Sequence, residues 1–141
     1  MNTILDLISN EVKAAFQNAG YDASYGKVTL SNRPDLCEYQ CNGAMAAAKA
    51  YRKAPIMIAE DVVALLKDSR CLSEVSAVKP GFINMKLKEE YVAEYLNQME
   101  ASEDLGLEKT KNPEMIIVDY GGPNVAKPLH VGHMRTTIVG E

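Results

Sequence analysis

Positive charge is in short supply in this chain: 15 lysines and arginines face 19 aspartates and glutamates, for a formal net charge of −4. A dedicated nucleic-acid binder carries a basic excess, so any contact with RNA has to come from a local patch. Cysteine is scarce as well. Its three copies are an odd number without framework spacing, which fits reduced thiols in a cytosolic protein and not a disulfide scaffold. No run of about 18 apolar residues occurs, so no membrane span is expected. Asp6 interrupts the N-terminal apolar stretch, so the basic-then-apolar pattern of a secretory signal is missing too. What is present is ordinary: 47% hydrophobic and 24% charged residues over a length of 141, enough to fill the core of a single domain.

From the start of the chain, Thr3 is placed to cap a helix reaching about Asn18, with Ile4, Leu5, Ile8, Val12, Ala15 and Phe16 on one stripe and Gly20 ending it. Lys27–Ser31 alternates as a short strand, Val28 and Leu30 pointing one way. Asn32–Asp35 reads as a turn and helix start. The alanine-rich stretch Leu36–Arg52 then reads as helix, with Tyr39, Met45 and Ala46 among its core candidates. Pro55 breaks it and can open the next helix, marked by Ile58, Val62, Leu65 and Leu66. Val75–Val78 and Phe82–Leu87 are strands joined by a turn at Lys79-Pro80-Gly81. Lys88–Met99 returns to helical spacing through Tyr91, Val92, Tyr95, Leu96 and Met99.

This order predicts an α+β domain of short, mostly antiparallel strands packed with helices over residues 1–102. Residues 103–114 are charged and punctuated by Gly106 and Pro113, as a linker would be. Residues 115–141 read as the first strand and helix start of a truncated Rossmann-like domain. One strand and one helical turn cannot bury a core, so the chain is expected to be a piece of a longer enzyme, inactive alone.

That last stretch holds most of the chemistry. Met115–Val118 reads as a buried strand of the parallel kind. A loop of small residues follows, with Gly121, Gly122, Pro123 and Pro128, and then a helix with Leu129, Met134, Thr137 and Ile138 as inward positions. His130 and His133 thus stand at a strand-to-helix transition, where open α/β sheets place ligands and a helix start offers N–H groups to phosphate. The pair shares one face of the first turn. Gly132 between them leaves backbone for a flat adenine or ribose to lie on. Lys127 supplies a mobile charge, and Asp119 and Asn124 can hold an amine or guanidinium. Displacement at the α-phosphate of ATP gathers negative charge that such donors stabilise. Zinc bound by Cys37, Cys41, His130 and His133 is disfavoured, because C-x3-C and H-x2-H lie outside the usual spacings.

His130-Val131-Gly132-His133 resembles the HIGH signature of class I aminoacyl-tRNA synthetases. The longer string from Asp119-Tyr120 through Pro123-Asn124-Val125-Ala126-Lys127 to Thr137 is similar to its arginyl-tRNA synthetase version. The resemblance implies an arginine–tRNA ligase that activates L-arginine with ATP and Mg2+ as substrate, without a tightly bound cofactor, and transfers it to tRNA. It implies that His130, His133 and Lys127 serve catalysis, with Pro123, His130, Gly132 and His133 at ATP and Asp119, Gly122, Asn124 and His130 at arginine. Relatives frequently carry a serine where Gly121 and Gly122 stand, so one hydroxyl contact to substrate would be missing. Lys127 matches a lysine that supports a degenerate lysine loop elsewhere in such enzymes.

Arg33-Pro34-Asp35-Leu36, Tyr39-Gln40-Cys41-Asn42-Gly43-Ala44-Met45 and Gly81-Phe82-Ile83-Asn84 resemble the additional N-terminal domain of the same family, which meets the outer corner of tRNA and reads a D-loop base. The matching readers are Phe82 and Asn84. Residues two apart share a strand face, so Phe82 can stack on a splayed base while Asn84 bonds its edge. Lys79, Lys86 and Lys88 are near enough to reach phosphate. From the residues alone, a core Phe82 beside a solvated Asn84 is favoured over RNA contact, because buried aromatics outnumber stacking platforms, and a solvated helix end is equally open for Lys49, Arg52 and Lys53. The expected partners are arginine-accepting tRNA, ATP, L-arginine and the rest of a monomeric cytoplasmic synthetase, with no membrane. A free-standing RNA-binding module and a different HxGH nucleotidyltransferase are the alternatives.

Overall fold

In the computed structural model, the described residues are 2–107, 109–118, 122 and 126–140, with Thr136 described by its backbone alone. The chain divides into two compact units, residues 1–108 and 109–141. No helix among the described residues is long and apolar enough to cross a membrane.

The first unit opens with α1 (Ile4–Asn18). Thr3 and Asp6 cap it reciprocally: the Asp6 N–H donates to Thr3 Oγ1 at 3.2 Å and the Thr3 N–H donates to Asp6 Oδ2 at 3.3 Å. Its apolar stripe buries Ile8, Val12, Ala15 and Phe16, and Gly20 turns the chain away at φ +88°. A 3-10 turn at Ala23–Tyr25 leads to β1 (Val28–Leu30) and β2 (Tyr39–Cys41), then to α2 (Gly43–Tyr51) and α3 (Pro55–Leu66). Pro55 opens α3, its missing N–H falling where a helix has no internal partner to offer. Strands β3 (Leu72–Val78) and β4 (Phe82–Leu87) form a hairpin across Lys79-Pro80-Gly81, the Lys79–Pro80 peptide being cis, and α4 (Glu89–Glu100) follows.

The four strands make one antiparallel sheet in the order β1-β2-β4-β3. Its inner face supplies Val28, Cys41, Ile83 and Met85 to a core completed by Ile8, Val12 and Phe16 of α1 and Ile58, Val62 and Leu66 of α3. Ile83 and Met85 are wholly buried, and each such side chain contributes roughly 1.5–3 kcal/mol. The unit is therefore the α+β domain expected from the sequence: helices on one side of a small sheet, the other side open.

Several expectations need correction. Leu36–Arg52 is not one helix, because Tyr39–Cys41 forms β2 and is bonded on both sides, to β1 and to β4. Two-sided pairing outweighs the helix preference of the alanines downstream. The helix starts only at Gly43, which exposes Ala46 and buries Ala44 and Ala47. Leu30 shares parity with Val28 yet is exposed, since β1 ends there at the sheet edge. Leu65 is exposed while Ala59 and Val63 face inward, and α4 buries none of its residues fully. In the second unit Met115–Val118 forms no strand and is 73–93% exposed. A parallel strand needs neighbours for its backbone groups, and no other strand occurs among the described residues of this unit. The helix expected after Pro128 is present as α5 (Val131–Gly140), but Leu129 before it and Met134, Thr137 and Ile138 on it are exposed and not inward.

Two glycines are demanded by close approach. A Cβ on Gly43 would lie 1.7 Å from the Tyr25 carbonyl oxygen, and one on Gly81 would lie 2.6 Å from Pro55 Cβ. Gly43→Ala is expected to cost about 1–3 kcal/mol, because the obstacle is backbone and cannot swing aside. A thermal melt should show its midpoint at least about 4 °C lower.

Midway along α3, Tyr21 Oη donates to Asp61 Oδ2 at 2.6 Å, and Lys53 Nζ donates to both Tyr21 Oη at 2.9 Å and Asp61 at 2.5 Å. Lys53 is thus tied into the fold and is not a loose helix-end charge. Bonds from Lys53 and then Tyr21 hold the Asp61 carboxyl below its ordinary value. A lowered carboxyl stabilises the fold above its unfolded value, and that contribution fades as pH falls through the folded one. Asp61→Asn should therefore lower the melting midpoint most near pH 7 and converge on the parent in acid. With Asp61 44% exposed, the difference stays below about 1 kcal/mol.

Candidate nucleic-acid face and HxGH segment

The open face of the sheet is built by the alternation of its central strand. On β4 the odd residues Ile83 and Met85 go inward, so Phe82, Asn84 and Lys86 go outward and are half-buried between neighbouring strands. The register sets Asn84 opposite Gln40 on β2 and opposite Ser76 on β3, and Gln40 opposite Thr29 on β1. Thr29, Gln40, Asn84 and Ser76 therefore form one polar row across all four strands. Gln40 Nε2 donates to Asn84 Oδ1 at 2.8 Å, and Thr29 Oγ1 donates to the Gln40 carbonyl at 3.3 Å. Phe82, paired with Val78, sits one step along from this row. Phe82 is outside the core cluster, on the opposite side of the sheet from it.

The lysines around this face differ. Lys86 Nζ is ion-paired with Glu74 at 2.8 Å, and that carboxylate holds the ammonium above its ordinary value. Lys88 Nζ donates to the Ser69 carbonyl at 2.8 Å. Lys79 stands exposed in the turn beside Phe82, and among the described residues no hydrogen bond or ion pair engages it. A stacking surface, an amide pair and one open cation therefore lie within a few residues of the β3–β4 turn. The sequence reading placed Phe82, Asn84 and Lys79 correctly in relation to one another but missed the partnership of Gln40. Its register was hidden inside a stretch read as helix.

The second unit brings part of the HxGH string together. His130 immediately precedes α5, and its ring lies 4.1 Å from that of His133, centroid to centroid, tilted by 36°. The His130 N–H donates to His133 Nδ1 at 3.2 Å, and the Gly132 N–H donates to His130 Nδ1 at 3.1 Å. This is a reciprocal cap in which two imidazoles do the work of Ser and Glu. Each ring is thus engaged through Nδ1 as an acceptor at the positive end of the helix. A Cβ on Gly132 would come within 2.9 Å of His130 Cε1, the far end of a side chain that can turn aside. Gly122 is open, with nothing within 4 Å of a Cβ, so the site has room for a side chain there. Lys127 is exposed. Asp119, Pro123 and Asn124 lie outside the described residues. Among those described, no group of three or more His, Cys, Asp or Glu side chains is placed to hold a metal ion.

Loss of either cap should loosen α5. His130→Ala and His133→Ala are each expected to cost its first turn about 1 kcal/mol. Faster amide exchange over residues 131–136 is the measurement, and unchanged protection in both variants would refute the capping role.

Two family descriptions match the chain: the arginyl tRNA synthetase N terminal domain over residues 2–87, and the class I (R) tRNA synthetase catalytic domain over residues 95–141. The arginine–tRNA ligase of Agathobacter rectalis is 59% identical over 142 residues, and that of Alkaliphilus oremlandii 52% over 141. Each alignment takes in 100% of this chain and 24% of the relative, so the chain spans about a quarter of the length of these curated relatives. Among solved structures, arginyl-tRNA synthetase from Plasmodium falciparum superposes with a TM-score of 0.61 at 25% identity, covering 99% of this chain and 27% of that one. The Thermus thermophilus arginyl-tRNA synthetase gives 0.58 at 23% identity, over 98% and 22% respectively, a likeness of fold.

Proposed function

Since this chain belongs to the arginyl-tRNA synthetase family, we propose that its first unit reads the D-loop of an arginine-accepting tRNA and that its second forms part of the ATP site of a cytoplasmic arginine–tRNA ligase. The observation that carries the first half is the outward pair on β4. Phe82 offers a ring and Asn84 an amide on one face, away from the core, beside the exposed Lys79. A single-stranded loop base splayed from its stack meets these needs in order: ring against ring, edge against amide, phosphate against ammonium. A duplex, with its bases stacked inside, offers no such base.

For the second half, the reaction joins the arginine carboxylate to the α-phosphate of ATP, with Mg2+ accompanying the substrate and pyrophosphate leaving. Charge accumulates on the phosphoryl oxygens, and donors already in place lower its energy. His130 and His133, at the start of α5, are proposed as such donors. Lys127 adds a mobile cation. Asp119 and Asn124 are proposed to hold the arginine, with Gly122 leaving its main chain accessible and Pro123 shaping the loop at ATP. Residues 1–102 would then be the appended RNA-reading domain, 103–114 its linker, and 115–141 the start of the catalytic domain.

Binding of a transcribed arginine tRNA to this chain, at low and physiological salt, tests the first half. Phe82→Ala is expected to weaken binding by about 1–3 kcal/mol, the usual worth of one stacked base. Asn84→Ala should erase the preference for the parent D-loop over an altered one. If parent and variants bind alike, with folding intact, the outward pair is not a reader. Addition of ATP tests the second half through the melting temperature, which rises only if a formed pocket binds it.

A further inference from the structure

We propose that Gln40 is a positioning residue that decides which hydrogen-bonding atom Asn84 turns toward a bound base, a proposal that rests on the D-loop reading above. A primary amide has two faces, a carbonyl oxygen that accepts and an amino group that donates. A free Asn84 could present either by rotating its last torsion, and such a reader discriminates poorly. Here the two amides are coupled, so that neither turns without the other. Gln40 and Asn84 are directly opposed on adjacent antiparallel strands, and Gln40 Nε2 donates to Asn84 Oδ1 at 2.8 Å. Both side chains are half-buried, where an exchange of partners with water is restricted.

The neighbours do not compete for these atoms. Thr29 Oγ1 is spent on the Gln40 main-chain carbonyl, and Ser76 on the far side is exposed. Among the described residues no other side chain bonds to either amide. With its oxygen taken by Gln40, Asn84 has its Nδ2 hydrogens left to offer a base. The base edge that fits is one that accepts there, through an unprotonated ring nitrogen or a carbonyl, and a base that offers an N–H at that point is rejected. Rejection is strong because two facing donors leave both unpaired once water is excluded. Gln40 itself need not touch the base.

The arrangement makes a reversal possible. Gln40→Glu replaces a donor by a carboxylate that only accepts, so Asn84 must donate Nδ2 to it and turn Oδ1 outward. Asn84→Asp reaches the same end from the other strand: its carboxylate accepts from Gln40 and leaves an oxygen facing the base. Gln40→Leu removes the partner and lets the amide rotate. The probe is arginine tRNA transcript with each D-loop base replaced in turn by the other three, bound to the 141-residue chain. The readout is the ratio of affinities at each position, which is insensitive to a general loss of binding from added negative charge.

At the position the parent chain discriminates, Gln40→Glu and Asn84→Asp are expected to shift preference from the accepting to the donating base by about tenfold or more. Gln40→Leu is expected to flatten the ratio to within about twofold of unity while keeping the Phe82-dependent affinity. A merely structural Gln40 would lower the melting midpoint and leave the ratios as they were. If the parent discriminates and the variants that remain folded keep its ranking, the positioning role is overturned and the D-loop reading stands. If the parent is indifferent to every D-loop substitution, the reading falls and the proposal with it.

Discussion

Strand β4 is bonded on both sides, to β2 and to β3, and the rest of the unit depends on that. Pairing on both edges fixes its register twice over, and a slip of one residue would turn Ile83 and Met85 out of the core. The alternation it enforces has two consequences at once. One face delivers the fully buried side chains on which α1 and α3 pack. The other holds Phe82 and Asn84 outward with no freedom to exchange roles. This outward face is therefore held as rigidly as the core beneath it, because the same six residues make both.

Support for this face comes from elsewhere in the unit. Gly81 lets the turn before Phe82 press against Pro55 at the head of α3, which anchors the β3–β4 hairpin to the helical layer. Gly43 lets the start of α2 lie on the Tyr25 carbonyl, and this fixes the direction in which β2 leaves the sheet. Were β2 free to shift, Gln40 would lose its place opposite Asn84. The buried thiol of Cys41 completes the corner by donating to the same Tyr25 carbonyl at 3.4 Å. Burial raises that thiol above its ordinary value, which keeps it protonated and inert.

What could be read from the sequence was whatever local chemistry decides. The Thr3–Asp6 cap, Pro55 at the head of α3, the two-residue period of Phe82–Leu87 and the turn before it are signals contained within a few residues, and each marks an element that forms. Strand β2 carries no such signal. Three residues, Tyr39-Gln40-Cys41, run without a turn into an alanine-rich helix, and only the partners on either side, distant in sequence, make them a strand. Missing that strand meant missing Gln40. The Met115–Val118 run failed for the opposite reason. Its composition favours a strand, but a strand is a relation between chains of backbone groups, and nothing described in its unit supplies the other side. The histidine pair was legible as a motif, whereas its reciprocal capping was not, since the usual caps are Ser, Thr, Asp or Glu.

The charge balance bears on how such a face could recognise RNA at all. Affinity that comes from phosphate neutralisation is indifferent to sequence and falls steeply with salt. This chain has little to spend that way: its net charge is −4, Lys86 is bound to Glu74 and Lys88 to a carbonyl, which leaves Lys79 as the open cation at the face. The proposed recognition would then draw on the ring of Phe82 and the edge of Asn84, which can act only on a base already out of its stack. A weakly charged reader of that kind would hold nothing by default. Its whole advantage would come from one correct base in one exposed loop, and so the orientation of a single amide would matter more here than on a basic surface.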